Sequence, residues 1–487
     1  MHNEQVFTPE WMVKILLDQV GFYSFNLVDK HIMDNSCGKG VILIEAVKRY
    51  IEVHKECHDG CVDVNEARTY LETYIHGIEI DEAMWGITVA NLNRLTLSYG
   101  IENVDWDIRN GIVNGDALAI DTFDGKMDFV VGNPPYCNVH DISEEQYNNI
   151  KENYTFCADG MTDIYLAFFE KGIRMLKPDG KLVYITPSSW TTSVAGRKFR
   201  EYLTNSNKLS AVGLMKHERV FKNATTFTII TCIDNSRDKA IVDAIDVKEY
   251  RPEFEDIEYK ATRSLSGCTV DGKFYFDVDG KGIGLLRDLH EGNFGTHVTV
   301  KNGFATLNDK LFLVDEDDMV GLNDYDHEKL IIVFKASTGE KKYMIFPYDK
   351  KGKPVNYDSL DFTVRNLLEK NARKLHLNIE NKPDWYLYGR TQALGDVFKN
   401  KVVVNNLIRN KNDIKVEYAM HGQGVYSGYY IPCESVYEMS DIYNLIRTNE
   451  FAEYVKSLGK YKNGGYYTFS SKDLQSYLNY KIETTKK

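Results

Sequence analysis

Asn133-Pro134-Pro135-Tyr136 follows the apolar run at 127–131 (MDFVV). That run reads as a buried parallel strand, so the tetrapeptide falls in the turn at the strand's carboxyl end, where open α/β sheets bind ligands. The side-chain oxygen of Asn133 and the carbonyl of Pro134 would each accept one N–H of an amino group conjugated to an aromatic ring. Such a nitrogen is a poor nucleophile because its lone pair is delocalised, and two acceptors draw it toward tetrahedral geometry and free the pair. Adjacent prolines fix φ and set the acceptor geometry in advance. Tyr136 offers a π-face to a planar base. The same residues also make an ordinary strand-to-loop turn, since Asn and Pro are common turn formers, so the rest of the chain decides.

Three further segments supply a pocket beside that turn. Asp34-Asn35-Ser36-Cys37-Gly38-Lys39-Gly40 follows the first strand and opens a helix. Its glycines let backbone approach a ligand closely, and the helix start presents free N–H groups. Glu79, in Gly77-Ile78-Glu79-Ile80-Asp81, ends the second strand, where a ribose diol would be held by paired hydrogen bonds. Asp116, in Gly115-Asp116-Ala117-Leu118, follows the third strand and is suited to accept from an adenine amino group. Each acid alone fits a solvated turn. Three at successive strand ends mark one edge of a sheet.

The elements that must position these residues alternate strand and helix from about residue 30 to 235. Strands are expected at 32–33, 74–80, 112–113, 127–131 and 181–186, and helices at 41–50, 81–99 and 164–176, with Asp163 as a cap and 177–180 as a stop and tight turn. Thr225 to Cys232 reads as a late strand, half of an antiparallel hairpin at the sheet edge. This rhythm predicts a doubly wound, Rossmann-like α/β sheet. Beyond about 240 the texture changes to short strands, Gly-containing turns and many tyrosines. Two domains are therefore expected, 1–240 and 241–487, the second of mixed α+β type.

A chain of 487 residues with 43% hydrophobic content buries more than one core. No apolar run approaches the roughly 18 residues of a membrane span and no signal segment opens the chain, so a cytoplasmic location is expected. Eight scattered cysteines agree with a reducing compartment. A net charge of −12 argues against a nonspecific nucleic-acid coat. The charge is uneven, roughly −10 over 1–240 and roughly −2 over 241–487, with 371–430 locally positive by about +4. His54, Cys57, His58 and Cys61 carry zinc-compatible types on one side of a helix. Gly60 interrupts that helix and the paired spacing of metal sites is missing, so no metal is expected.

The order of these segments resembles the gamma arrangement of the S-adenosylmethionine-dependent DNA amino-methyltransferases of restriction-modification type. Phe7-Thr8-Pro9 is similar to that family's N-terminal cofactor motif, and Asp34, Gly38 and Gly40 to its glycine-rich motif, with Asn35 where Pro is usual and Lys39 where a small residue is usual. The resemblance implies S-adenosyl-L-methionine as cofactor, held by Phe7, Thr8, Asp34, Gly38, Gly40, Glu79 on the ribose and Asp116 on the adenine, with Ile80 and Ala117 flanking that ring and Asn133 beside it. It implies Asn133, Pro134 and Tyr136 as the catalytic turn, and a target base stacked between Tyr136 and Phe221, which precedes Lys222-Asn223-Ala224. Asp163-Ile164-Tyr165 and the segment Gly180 to Trp190 are similar to the family's next two motifs.

The second half, through Asn302 to Lys310, Lys335 to Glu340, Trp385 to Gln392 and Gly464 to Ser470, resembles the target-recognition domains of such enzymes. The DNA-binding candidates are Arg197 and Lys198, which with Arg200 form a basic run, and Arg390 and Gln392, whose side chains suit guanine and adenine edges. The expected activity is methylation of the N6 amino group of a flipped adenine in double-stranded DNA, either as the modification enzyme of a restriction-modification system, with a separate cognate restriction endonuclease as a possible partner, or as an orphan methylase. Cytosine-N4 methylation is the alternative, and RNA or protein-glutamine N-methylation a more distant one, because those amino groups pose the same lone-pair problem.

Overall fold

This computed structural model describes residues 8–107, 111–136, 143–217, 220–221, 227–247, 259–276, 282–314, 318–319, 322, 330–336, 338–379, 382–426 and 428–485. Phe7 and Lys222-Asn223-Ala224 lie outside them. The chain divides into two compact units, Met1–Ile283 and Gly284–Lys487.

The first unit is built on β1 (Ile32–Asp34), β2 (Ile75–Glu79), β3 (Ile112–Asn114), β4 (Met127–Gly132), β5 (Leu176–Pro187), β6 (Leu209–Leu214), β7 (Thr228–Asp234), β8 (Ile241–Asp246) and β9 (Tyr259–Ser264). They form one sheet of order β3-β2-β1-β4-β5-β7-β6-β8-β9. Pairing from β3 through β5 is parallel, and β7 runs antiparallel between β5 and β6. The expected doubly wound fold is thus present, with the late strand lying inside the sheet and not at its edge.

Helices α1 (Glu10–Val20), α2 (Val41–Cys57), α3 (Val64–Tyr74), α4 (Glu82–Leu97), α5 (Glu144–Asn153), α6 (Tyr165–Met175) and α7 (Arg197–Ser206) complete the unit. Successive side chains of the central strands enter opposite cores, as a period of two requires. Ile32, Phe129, Val131, Val183 and Ile185 join Met12, Leu16, Leu43 and Val47 of α1 and α2. Met33, Met127, Val130, Leu182 and Tyr184 join Phe168, Phe169, Phe199 and Leu203 of α6 and α7. Burial on both faces explains why β4 reads as a continuous apolar run.

Three expectations need correction. The first unit extends past 240 because β8 pairs with β6 and β9 with β8, which carries the same sheet to Ser264 and the compact unit to Ile283. Both β8 and β9 are short strands that mix polar with apolar residues. Asp163 does not cap α6, whose N-cap is Ile164 without a side-chain bond. The segment 177–180 does not end an element but is carried within β5 as an irregularity in its register with β4.

The second unit has its own core, including Phe304, Val333, Phe334, Met344, Leu368, Tyr388 and Tyr430. A four-stranded sheet contains Lys401–Val404 and Tyr429–Pro432, two three-stranded sheets accompany it, and the helices include Val436–Ile446 and Ser471–Thr485. This is the mixed α+β texture expected of it. Among the described residues no helix is long and apolar enough to cross a membrane.

Gly172 of α6 tests how closely helix and sheet pack, because a Cβ there would sit 2.5 Å from both Leu182 Cδ1 and the Tyr184 hydroxyl oxygen. Alanine favours a helix by about 1 kcal/mol over glycine, whereas overpacking a core costs ~1–3 kcal/mol. Gly172→Ala is therefore expected to lower the urea midpoint and the Tm. A more stable variant would contradict the packing.

Candidate active site

Parallel pairing brings the chemistry to one edge. Asp34 is in register with Gly77 of β2, and Glu79 with Asn114 of β3, so the carboxyl ends of β1, β2 and β3 lie side by side. On the other side of β1, Met33 pairs with Val130, and Asn133 follows the end of β4. Gly132 keeps the two ends close, since a Cβ there would lie 3.4 Å from Asp34 Oδ1 and 3.1 Å from Tyr184 Cε1.

The glycine loop is held in place from three directions. Gly38 (φ 54°) donates its N–H to Glu79 Oε2 at 2.8 Å, while Glu79 Oε1 accepts from Asp81 N at 2.9 Å. Thr88 of α4 donates to Gly38 O at 2.6 Å and Asn91 Nδ2 to Lys39 O at 3.1 Å. Gly40 has φ 79°, and a Cβ on it would lie 2.8 Å from Thr88 Cγ2, so both its backbone and its surroundings demand glycine. Asn35 Oδ1 accepts from the Tyr184 hydroxyl at 2.8 Å. That bond gives a structural reason for asparagine where the resembling family usually has proline. The bonds that Thr88, Asn91 and Tyr184 make to this loop leave no signal in the sequence, because folding alone brings these side chains to it.

Asp34 is buried, and its carboxyl is pushed up to about 7, chiefly by burial and further by the nearby Glu79, with a bond from the Ser36 N–H acting the other way. Two carboxylates on one glycine loop favour a positively charged ligand. Ile80 beside them exposes 67% of its surface, an apolar seat for a planar ring, and Ala117 is buried nearby in chain order after the exposed Asp116, whose Oδ1 accepts from Leu118 N at 2.9 Å. Asn35 Nδ2 and Ser36 Oγ are buried and form no hydrogen bond among the described residues.

At the catalytic turn, Asn133 Nδ2 donates to Thr8 Oγ1 at 3.1 Å, joining two motifs 125 residues apart. The Asn133 side-chain oxygen is buried, and Pro134 is buried as well. Tyr136 donates its hydroxyl to Ile185 O at 3.1 Å, and burial pushes that phenol well above its ordinary value. Its ring meets Phe221 edge to face, centroids 6.1 Å apart at 67°. The structure therefore brings the two rings together, but against each other and with Phe221 in the core. A base between them would need parallel rings about 7 Å apart, twice the ordinary carbon contact distance.

The remaining candidates are placed as follows. Arg197 pairs with Asp159 through two bonds of 2.9 Å, and Lys198 with Glu201 at 2.9 Å. Arg200 departs from the basic run, being buried and donating to the carbonyls of Gly272, Trp190 and Ser193 at 2.7, 2.6 and 2.8 Å. In the second unit, Gln392 Nε2 donates to Gly303 O at 3.0 Å, which braces two motifs of that unit against each other. Arg390 pairs through its backbone with Ala305, and its exposed guanidinium makes no hydrogen bond among the described residues. The zinc-compatible run does not assemble as spaced. The α2 helix ends at Cys57, both thiols are exposed, and His54 and His58 instead approach Glu66, all three within 4.8 Å. His54 Nε2 there already accepts from Asp63 N at 3.1 Å.

Residues 58–221 match the family described as Eco57I restriction-modification methylase. The chain is 29% identical over 397 residues to the type II methyltransferase M.BstVI of Geobacillus stearothermophilus, covering 74% of this chain and 68% of that one. It is 24% identical over 493 residues to the type II restriction enzyme and methyltransferase RM.Eco57I of Escherichia coli, covering 84% of this chain and 49% of the other. The chain thus spans about half the length of that second relative. The solved structure of the type IIL restriction-modification enzyme MmeI in complex with DNA superposes with a TM-score of 0.58 at 12% identity, covering 95% of this chain and 65% of that one, and shows a shared fold. Over these stretches the chain is similar to type II methyltransferases, and S-adenosyl-L-methionine is the cofactor expected from that similarity. The residues fit it, with acids for a cationic ligand, unsatisfied polar groups on the loop and an exposed apolar seat.

The Asp34 carboxyl supplies a measurable sign. Its folded value near 7 lies above the unfolded value near 3.8, so the folded chain binds this proton more tightly. The resulting stability is complete below the lower value and is lost as pH rises through the upper one. Asp34→Asn is expected to flatten the fall in urea midpoint of the cofactor-free protein across that interval. An unchanged slope would show that Asp34 is not the group responsible.

Proposed function

We propose that the protein is a site-specific DNA methyltransferase that transfers a methyl group from S-adenosyl-L-methionine to the N6 amino group of an adenine flipped from double-stranded DNA, as the modification component of a restriction-modification system. The observation that carries this reading is the Asn133–Thr8 bond, which ties the acceptor-bearing turn to the first cofactor motif at the edge where Asp34 and Glu79 converge. Homology to type II methyltransferases supports it.

The target amino group is paired and enclosed in duplex DNA, so the base must leave the stack before it reaches the turn. With Asn133 Nδ2 committed to Thr8, the side-chain oxygen and the Pro134 carbonyl are the acceptors for its two N–H bonds. Bound cofactor supplies an electrophilic methyl carbon on a positively charged sulfur. The acceptors align the nitrogen lone pair with that carbon and withdraw it from the ring. The N–C bond would form as the C–S bond breaks to leave a neutral thioether, and the nitrogen would then lose one proton to solvent. Positioning thus carries much of the rate. Tyr136 and Phe221 part to admit the base, which exchanges their edge-to-face contact for stacking. Phe7, Thr8, Asp34, Gly38, Gly40, Glu79, Ile80, Asp116 and Ala117 hold the cofactor. Arg390 and Gln392 are candidates for reading base edges, Arg390 being the stronger because its guanidinium is the freer of the two.

Asn133→Ala is expected to lower turnover by at least about a hundredfold, comparable to removal of one polarising donor or acceptor, with cofactor affinity falling far less, by about fivefold for the lost Thr8 bond. Single-turnover transfer from radiolabelled cofactor to DNA, together with cofactor titration, measures both. Near-normal transfer by the variant would refute the assignment of the turn.

A further inference from the structure

The loops at 158–163 and 188–196 meet at one place and expose two large apolar side chains there. Met161 and Val194 each leave 70% of their surface uncovered. Gly160 (φ 60°) lies against the second loop so closely that a Cβ on it would be 3.3 Å from Ala195 N and 3.4 Å from Val194 Cγ1.

This tip is braced, so its exposure is a built feature. Lys151 Nζ donates to Gly160 O at 3.0 Å, and Arg197 holds Asp159 through two bonds of 2.9 Å. On the other loop, Ser193 N donates to Ser189 O at 2.9 Å and Gly196 N to Ser193 Oγ at 3.1 Å. A Cβ on Gly196 would lie 2.2 Å from Trp190 O, so that turn is closed tightly. Buried Arg200 ties Trp190 and Ser193 from beneath.

The position is equally informative. Gly132 of β4 is in register with Tyr184 of β5, and β5 continues to Pro187 before the second loop begins. Tyr136 bonds to Ile185 O on the same stretch. The tip therefore rises from the sheet edge that carries the Asn-Pro-Pro-Tyr turn. Lys151, Arg197 and Lys198 flank it with charge complementary to phosphate, which would compete with Asp159 and Glu201 for them.

We propose that Met161 and Val194 form an apolar wedge that enters duplex DNA at the target step and fills the space vacated by the flipped base. This rests on the methyltransferase reading above and deepens it by assigning the residues that open the stack. Apolar side chains inserted between base steps offset the loss of stacking, and basic neighbours hold the backbone while they do so.

The test uses the full chain and duplex oligonucleotides carrying its recognition sequence, read by sequencing DNA that the protein has methylated. In one duplex the target base is paired, and in a second it faces an abasic site, where extrusion needs little help. For Met161→Ala with Val194→Ala, the rate on the paired duplex is expected to fall at least about tenfold and the rate on the abasic duplex to stay within about twofold, since an unpaired base is easier to flip. Met161→Leu with Val194→Ile keeps the apolar bulk and is expected to retain the paired rate, which separates lost wedging from lost folding. Equal loss on both duplexes, or no loss on either, overturns the wedge. Absence of transfer by the unaltered protein to both duplexes overturns the methyltransferase reading itself, and the wedge with it.

Discussion

The Gly38–Glu79 hydrogen bond is the contact on which the site depends. It joins the loop after β1 to the last residue of β2, and it uses a carboxylate that the sheet has already buried. Parallel pairing alone brings strand ends together, but it leaves the loops beyond them undefined. This bond, with Thr88 and Asn91 beneath the same loop, fixes a left-handed turn that glycine adopts without the strain of a side chain. The exposed Ile80 and the buried Asp34 then face a cradle of set shape.

The energetic logic of the edge is one of deliberate discomfort. Asp34 is held where its charge is costly, close to a second carboxylate, and Asn35 and Ser36 keep buried polar atoms unsatisfied among the described residues. A core built only for stability would replace these groups with apolar ones. Their cost is offset when a cationic, hydrogen-bonding ligand enters, which is how affinity is stored in a preformed site. The same reasoning applies to the closed contact of Tyr136 and Phe221. Tyr136 and Phe221 satisfy each other edge to face, and under the proposed function a flipped base would displace that contact.

Much of this was legible in the sequence for identifiable reasons. The central strands are buried on both faces, so their apolar runs stand out, and ligand-bearing turns occur at a fixed end of such strands. Asp34, Glu79 and Asn133 could therefore be placed before any coordinates. The contacts of Thr88, Asn91 and Tyr184 with the glycine loop could not, because their partners are backbone carbonyls or an amide brought near only by folding. The boundary near 283 was hidden because β8 and β9 are short strands of mixed polarity, like those of a separate β-rich domain. Arg200 looked like part of a basic surface because a guanidinium serving buried carbonyls leaves no mark on charge patterning.

The central claim is that the oxygens of the Asn-Pro-Pro turn direct a methyl group to the exocyclic nitrogen of a DNA adenine. Its most direct measurement is nucleoside analysis by mass spectrometry of unmethylated DNA incubated with the purified protein and isotopically labelled S-adenosyl-L-methionine. The account expects the label in N6-methyl-2′-deoxyadenosine and its loss with Asn133→Ala. Label confined to a modified cytosine would contradict the choice of base, and unlabelled DNA would contradict the activity.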